Sequence, residues 1–173
     1  MTASLAHPQF AAALKDLGIE AEVRRFPDAT RTAAEAAAAI GCDTSEIVKS
    51  LVFAAWGSPL LERSRELGGG VPVLVLMDGS SRVDMERVRA ELGAAKVTRP
   101  DAAVVREATG YAIGGVPPFG HRTKTRVLAD RGLLDHDVVW AAAGTPYTVF
   151  PMEPKTLIAH AGGVLVDVRE RTA

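Results

Sequence analysis

The chain has 173 residues, 20 Lys and Arg against 21 Asp and Glu, a formal net charge of −1 and 47% hydrophobic residues, which suits roughly one globular domain. That charge balance excludes indiscriminate polyanion binding, and an aromatic content of 5% excludes a base-stacking platform for single strands. The lone cysteine, Cys42, excludes an internal disulfide and a cysteine-based zinc cluster.

In chain order, His7-Pro8 followed by Phe10, Leu14 and Leu17 predicts a helix that Gly18 ends. Ile19, Ala21 and Val23 alternate with charged residues, the period of a half-buried strand. Thr32-Ala-Ala-Glu35 has the capping-box pattern and opens an alanine-rich helix that Gly41 stops. The β-branched and aromatic run Ile47–Phe53 predicts a buried strand. Gly57–Gly70, with Ser58-Pro59, several charges and three glycines, predicts a surface excursion without an assigned role. Val71–Met77 predicts a second buried strand, Asp78-Gly79 a turn, and Asp84 the cap of a helix bearing Met85, Val88 and Leu92. Asp101 caps a further helix ending before Gly110. Val127–Ala129, Val138–Ala143, Tyr147–Phe150 and Val164–Val168 predict strands, with a helix from Pro154 before the last. Without a regular βαβ repeat, this order predicts an α+β domain built on a curved, mixed, barrel-like sheet surrounded by helices, a single domain over residues 1–173.

The apolar runs are far shorter than the roughly 20 residues a bilayer span needs, and Met1–His7 has no leader pattern. The expectation is a cytoplasmic protein with no membrane contact, no metal and no cofactor. Within the strand at Ile47–Phe53, Lys49 is out of place, since lysine is rarely buried without a reason. It is either an edge-strand lysine that snorkels to water, or a functional cation whose lowered pKa suits anion or ester binding. Gly114-Gly-Val-Pro-Pro-Phe-Gly-His121 combines permissive glycines with rigid prolines and encodes a stiff loop. Such a loop is either a tight connection or a way of aiming the Gly114 and Gly115 amides at a developing oxyanion. After His121 come Arg122, Lys124 and Arg126, either a solvated face or cations at the rim of a site, to which Arg24, Arg25 and Arg31 could add. No nucleophile elbow supports a triad of Ser50, His121 and an aspartate, and Cys42 reads as a packing residue.

Four blocks in this order, Ile47-Val-Lys-Ser-Leu-Val-Phe53, Ala108-Thr-Gly-Tyr111, Ile113-Gly-Gly-Val-Pro-Pro-Phe-Gly120 and Ala142-Ala-Gly144, resemble the YbaK family of aminoacyl-tRNA deacylases. That family is similar to the editing domain inserted in bacterial prolyl-tRNA synthetases. The resemblance implies a hydrolase that clears mischarged tRNA in trans, acting on a small amino acid esterified to tRNA-Pro or a related tRNA, with a synthetase as a possible partner. It implies Lys49, Gly114 and Gly115 as the catalytic set. Ser50, Val116, Pro117, Pro118, Phe119, His121, Gly144 and Thr145 are implied to surround the aminoacylated 3′ end. Ser50 stands where alanine-preferring members commonly carry Asn, and Gly144-Thr-Pro-Tyr147 replaces the segment of the cysteine-specific branch. The other class of function open to the same residues is a noncatalytic module that holds an aminoacyl or nucleotide end.

Overall fold

The computed structural model describes residues 5–61 and 70–171. The elements run α1 (Pro8–Asp16), β1 (Arg24–Arg25), α2 (Ala33–Ile40), β2 (Val48–Trp56), β3 (Val71–Asp78), α3 (Met85–Leu92), β4 (Lys96–Thr98), α4 (Ala102–Thr109), β5 (Arg126–Asp130), β6 (Val139–Ala142), β7 (Thr148–Met152), α5 (Pro154–Ala161) and β8 (Gly163–Val166). Short 3-10 turns occupy Thr44–Glu46 and Arg131–Asp135.

The main sheet has the order β4-β2-β3-β5-β8. Its β2–β3 and β2–β4 pairs are antiparallel, whereas β3–β5 and β5–β8 are parallel. β3 is the reason for the unbroken apolar run in the sequence. Leu74 and Leu76 join a core with Phe10, Leu14, Phe119, Phe150 and Leu157, while Val73, Val75 and Met77 enter another with Phe53, Val88, Leu92 and Leu128. A strand covered on both faces has no need of polar alternation. The second sheet, β1-β7-β6, is antiparallel, and α2 packs Ala36 and Ala37 beside Phe26, Ile47 and Val149. The two sheets meet at a lone bridge between Ile47 and Trp140, so the mixed sheet that the sequence predicts is present, but among the described residues it does not close into a barrel.

The helix ends follow the side chains that precede them. His7 Nδ1 accepts the Gln9 N–H, Asp84 accepts from Glu86 and Arg87, and Asp101 accepts the Val104 N–H. Thr32 accepts the Glu35 N–H, but Glu35 reaches back one residue further than a capping box requires, to the Arg31 N–H. The stretch Ile19–Val23 alternates as predicted in burial, with Val23 in the core, yet only Arg24 and Arg25 enter a ladder. Leu17, predicted on the apolar face of α1, is exposed at its C-cap. Residues 62–69 of the predicted excursion lie outside the described residues. At its start, Ser58 donates to the Leu92 carbonyl and is buried.

Candidate active site

β4 pairs only with Ala54, Ala55 and Trp56, so β2 runs past it and Val48–Phe53 borders open space on that side. Pro100 follows β4 closely and turns the chain into α4. In the gap lies a cleft of about 500 Å³ walled by β2, the start of α2, the Ile113–Val116 segment and the turn between β6 and β7. A side lobe of about 150 Å³ continues along Ser50–Phe53 toward Arg99, Pro100 and Val105. Ser50, Leu51, Ile113, Gly114 and Val116 border both, so the two spaces join at these residues.

Lys49 sits at the edge of the larger cleft, its Nζ donating to the Ser81 carbonyl at 2.7 Å. Burial pulls its pKa below the ordinary lysine range. Asp78 pushes it back up, and Arg82 and Arg99 pull it further down. Asp78 cannot serve Lys49 as a dedicated ion-pair partner, because its Oδ1 accepts from the Ser80 hydroxyl and N–H at 2.5 and 3.0 Å and its Oδ2 from the Ser81 hydroxyl at 2.7 Å. Burial alone would raise the Asp78 pKa; these hydrogen bonds, with Arg169 nearby, hold it below the ordinary carboxylate range. The result is an ammonium held by one carbonyl at the border of a cleft. Ser50, on the other face of β2, has a buried Oγ without a hydrogen-bond partner.

The glycine loop is positioned from behind. Gln9 Nε2 donates to the carbonyls of Thr109 and Gly120, both at 2.9 Å, and the Tyr111 hydroxyl donates to Gly120 O at 2.7 Å. Burial drives the Tyr111 pKa well up. His121 Nε2 lies 2.6 Å from Pro117 O, a contact that requires the proton on Nε2. Burial lowers the His121 pKa while this bond works against the shift, and its Nδ1 is buried without a partner. His121 therefore braces the loop and does not border the cleft. Pro117, Pro118 and Phe119 are likewise buried beneath it, and Phe119 packs on Phe10 and Phe150.

The two glycines do different things. Gly114 has φ of 91° and borders the cleft, a conformation L side chains resist. Gly115 has no such backbone requirement, but a Cβ there would lie 2.8 Å from Thr145 Cα. Its N–H donates to Ala112 O at 3.0 Å. This corrects the pairing of both amides as oxyanion donors: the Gly115 N–H is already spent in the turn, and Gly114 carries the one without an acceptor among the described residues. Thr145 borders the cleft and its Oγ1 is 2.8 Å from Thr148 Oγ1, while Gly144 is buried under His7 and Tyr111.

Lys49, Ser50, Gly114, Val116 and Thr145 thus come together, and the remaining predicted residues form the layer that supports them. None of Arg122, Lys124 and Arg126 borders the cleft, and the Arg122 and Thr123 amides bond to the end of α4; Arg25 stacks on Tyr147, while Arg24 lies over Trp140, which itself borders the cleft. The cations beside the site are Arg31, at the start of α2, and Arg82 and Arg99, which sequence reasoning missed. Neither sits in a motif. Arg99 is placed over the Phe53 ring, 5.7 Å from its centroid, by the turn after β4. Among the described residues no group of three or more His, Cys, Asp or Glu could hold a metal, and no helix is long and apolar enough to cross a membrane.

Lys49 and the Ile113–Val116 segment both border this two-lobed cleft, the kind of concave space in which small ligands bind. The aminoacyl-tRNA editing domain model matches residues 27–159, and the chain belongs to that family. It is 30% identical over 139 residues to the uncharacterized protein YwhH of Bacillus subtilis (strain 168), covering 80% of each chain. It is 31% identical over 120 residues to a proline–tRNA ligase of Limosilactobacillus fermentum, covering 69% of this chain and 20% of that ligase. The crystal structure of a candidate trans-editing enzyme for prolyl tRNA synthetase superposes with a TM-score of 0.82 at 37% identity, covering 95% of this chain and 99% of that one.

Proposed function

We propose that this chain acts as one domain that hydrolyses the ester joining a small amino acid to the terminal ribose of mischarged tRNA, with tRNA-Pro or a related tRNA as the carrier. The observation that carries the reading is the junction of the two cleft lobes, where Ser50 and Gly114 meet beside Lys49. An aminoacyl-adenosine end has the same two-part shape, an amino acid and a nucleoside joined at an ester. The smaller lobe takes the amino acid and the larger one the nucleoside, which puts the ester against Gly114.

In the reaction water adds to the ester carbonyl, the C–O bond to the ribose breaks, and the ribose oxygen leaves with a proton. The Gly114 N–H is the donor to the oxyanion that forms on the way, and the Lys49 ammonium positions the substrate through its phosphate or ester oxygens. Among the described residues, no Asp, Glu or His borders either lobe of this cleft. The proton of the attacking water is accordingly assigned to the substrate's own hydroxyl or amine. Discrimination by a synthetase pocket is worth only about 1–3 kcal/mol per methylene, which is why a second sieve is useful.

The same missing base favours one other reading, a module that holds the aminoacyl end without cleaving it. Deacylation assays with alanyl-, seryl- and cysteinyl-tRNA separate the two. Hydrolysis clearly above the spontaneous rate, unchanged by EDTA, supports the editing enzyme; binding without turnover supports the module.

A further inference from the structure

Lys49 stands between two clefts. Its ammonium is bonded to the carbonyl of Ser81, and the turn that supplies this carbonyl is shared: Gly79 borders the candidate active site, while Ser80, Ser81 and Arg82 border a second, larger opening of about 690 Å³ on the far side. The C-terminal segment closes that opening with Asp167, Arg169, Glu170 and Arg171. The Glu170 N–H donates to Arg82 O at 2.8 Å, so the two walls are tied together through the backbone.

The charges of this cleft are not equally available. Asp167 faces Arg87 at 3.5 Å, and Arg169 Nε lies 3.2 Å from the buried Asp130. Asp130 also accepts the Gly132 and Val168 amides, which fixes Arg169 from below. Among the described residues, Glu170 is then the one lining carboxylate without an arginine ion-pair partner, set against Arg82 and Arg171. Both of these arginines are exposed. Two exposed arginines in a wide groove are suited to phosphodiester oxygens, and poorly suited to an apolar peptide.

From this continuity and charge we infer that the Ser80–Arg82/Arg169–Arg171 cleft carries the phosphodiester backbone of the single-stranded nucleotides that precede the terminal adenosine. The inference rests on the editing function proposed above. A strand whose last residue lies in the active-site cleft passes Lys49, crosses the Ser80–Ser81 turn and meets Arg82, then Arg171. Arg82 and Arg171 are positioning residues: they touch the substrate's upstream phosphates and none of the reacting atoms.

The test uses the full chain with a 5′-labelled single-stranded oligoribonucleotide ending in CCA, titrated across a salt series. Arg82→Gln, and separately Arg171→Gln, are expected to weaken binding at least about 5-fold at low salt and to flatten the salt slope by about 0.7 per lost phosphate contact. Arg82→Lys restores part of the affinity because it keeps the charge. Arg131→Gln, an exposed arginine outside all three clefts, serves as the control. Kinetics with alanyl-tRNA supply the second readout, a raised KM with little change in kcat. Wild-type affinity and salt slope in both variants overturn the channel. So do equal fold losses on alanyl-tRNA and on alanyl-adenosine, which lacks upstream phosphates. Wild-type protein that hydrolyses no charged tRNA overturns the editing reading instead, and the oligonucleotide titration then reports on the channel alone.

Discussion

The two walls of the cleft are built on opposite principles. The Ile113–Gly120 wall is held by distant parts of the chain: Gln9 bonds Thr109 ahead of it and Gly120 at its end, Tyr111 bonds back to Gly120, and its second glycine is pressed against Thr145. The Lys49 wall is held by fewer bonds: the Asp78 carboxylate is bonded within three residues of itself, and one carbonyl, that of Ser81, lies under the ammonium. On the proposed reading, one wall presents a single backbone amide, that of Gly114, whose direction must not vary. The other presents charge, which acts over several ångströms and tolerates looser placement. A backbone donor needs deep tertiary support, whereas a positioning cation needs a stem and one anchor.

Breaking the first wall should have the largest effect. Gly115→Ala puts a Cβ 2.8 Å from Thr145 Cα and 2.9 Å from its carbonyl carbon, both main-chain atoms that cannot rotate away. The two loops must separate, and the Gly114 amide moves with them. We expect kcat/KM for deacylation to fall by at least about 100-fold, the scale of losing one oxyanion donor, with circular dichroism showing a folded protein of lower Tm. Wild-type kcat would reduce the loop to a connector.

On the second wall, Lys49→Met keeps the apolar stem and removes the charge. Deacylation should drop about 10- to 100-fold, with Tm unchanged or higher because a partly desolvated ammonium is gone. A Tm loss without an activity loss would make Lys49 structural. Asp78→Asn, one step further from the substrate, keeps Oδ1 as the acceptor for Ser80 but replaces Oδ2, the acceptor of the Ser81 hydroxyl, with an amide donor, and should cost about 1–3 kcal/mol of stability, read by urea melts, with a smaller effect on rate.

The same contrast explains what could be read in advance. β2 and β3 were legible because both are dominated by apolar residues, and Lys49 because it interrupts the first of them. The caps at Asp84 and Asp101 were legible because the bonds involved span two or three residues. β4 was not, since Lys96–Thr98 is short and partly exposed and exists only as an extension beside the end of β2. The division of labour between Gly114 and Gly115 was equally hidden. What constrains Gly115 is Thr145, thirty positions away, and no local pattern encodes that approach. Arg82 and Arg99 escaped notice for the same reason, as each reaches the site only through the folding of the turn before it.

Acid titration should take the two walls apart in sequence. Burial holds the His121 pKa below its ordinary 6.5 despite the bond to Pro117. The unfolded chain therefore binds a proton at a higher pH than the native loop does, and stability falls as pH drops through 6.5 toward the depressed native value. Asp78 behaves in the same sense at a lower pH. Its native pKa lies below 3.8, so its contribution is intact above that value and is lost only as pH falls through the native pKa. Urea melts from neutral pH downward should show a first decline assigned to the loop and a second, more acidic one assigned to the Asp78 turn. His121→Leu should flatten the first and leave the second, while Asp78→Asn should do the reverse. If His121→Leu leaves the decline below 6.5 unchanged, the buried imidazole is not what ties the loop to pH, and the bracing of that wall falls to Gln9 and Tyr111 alone.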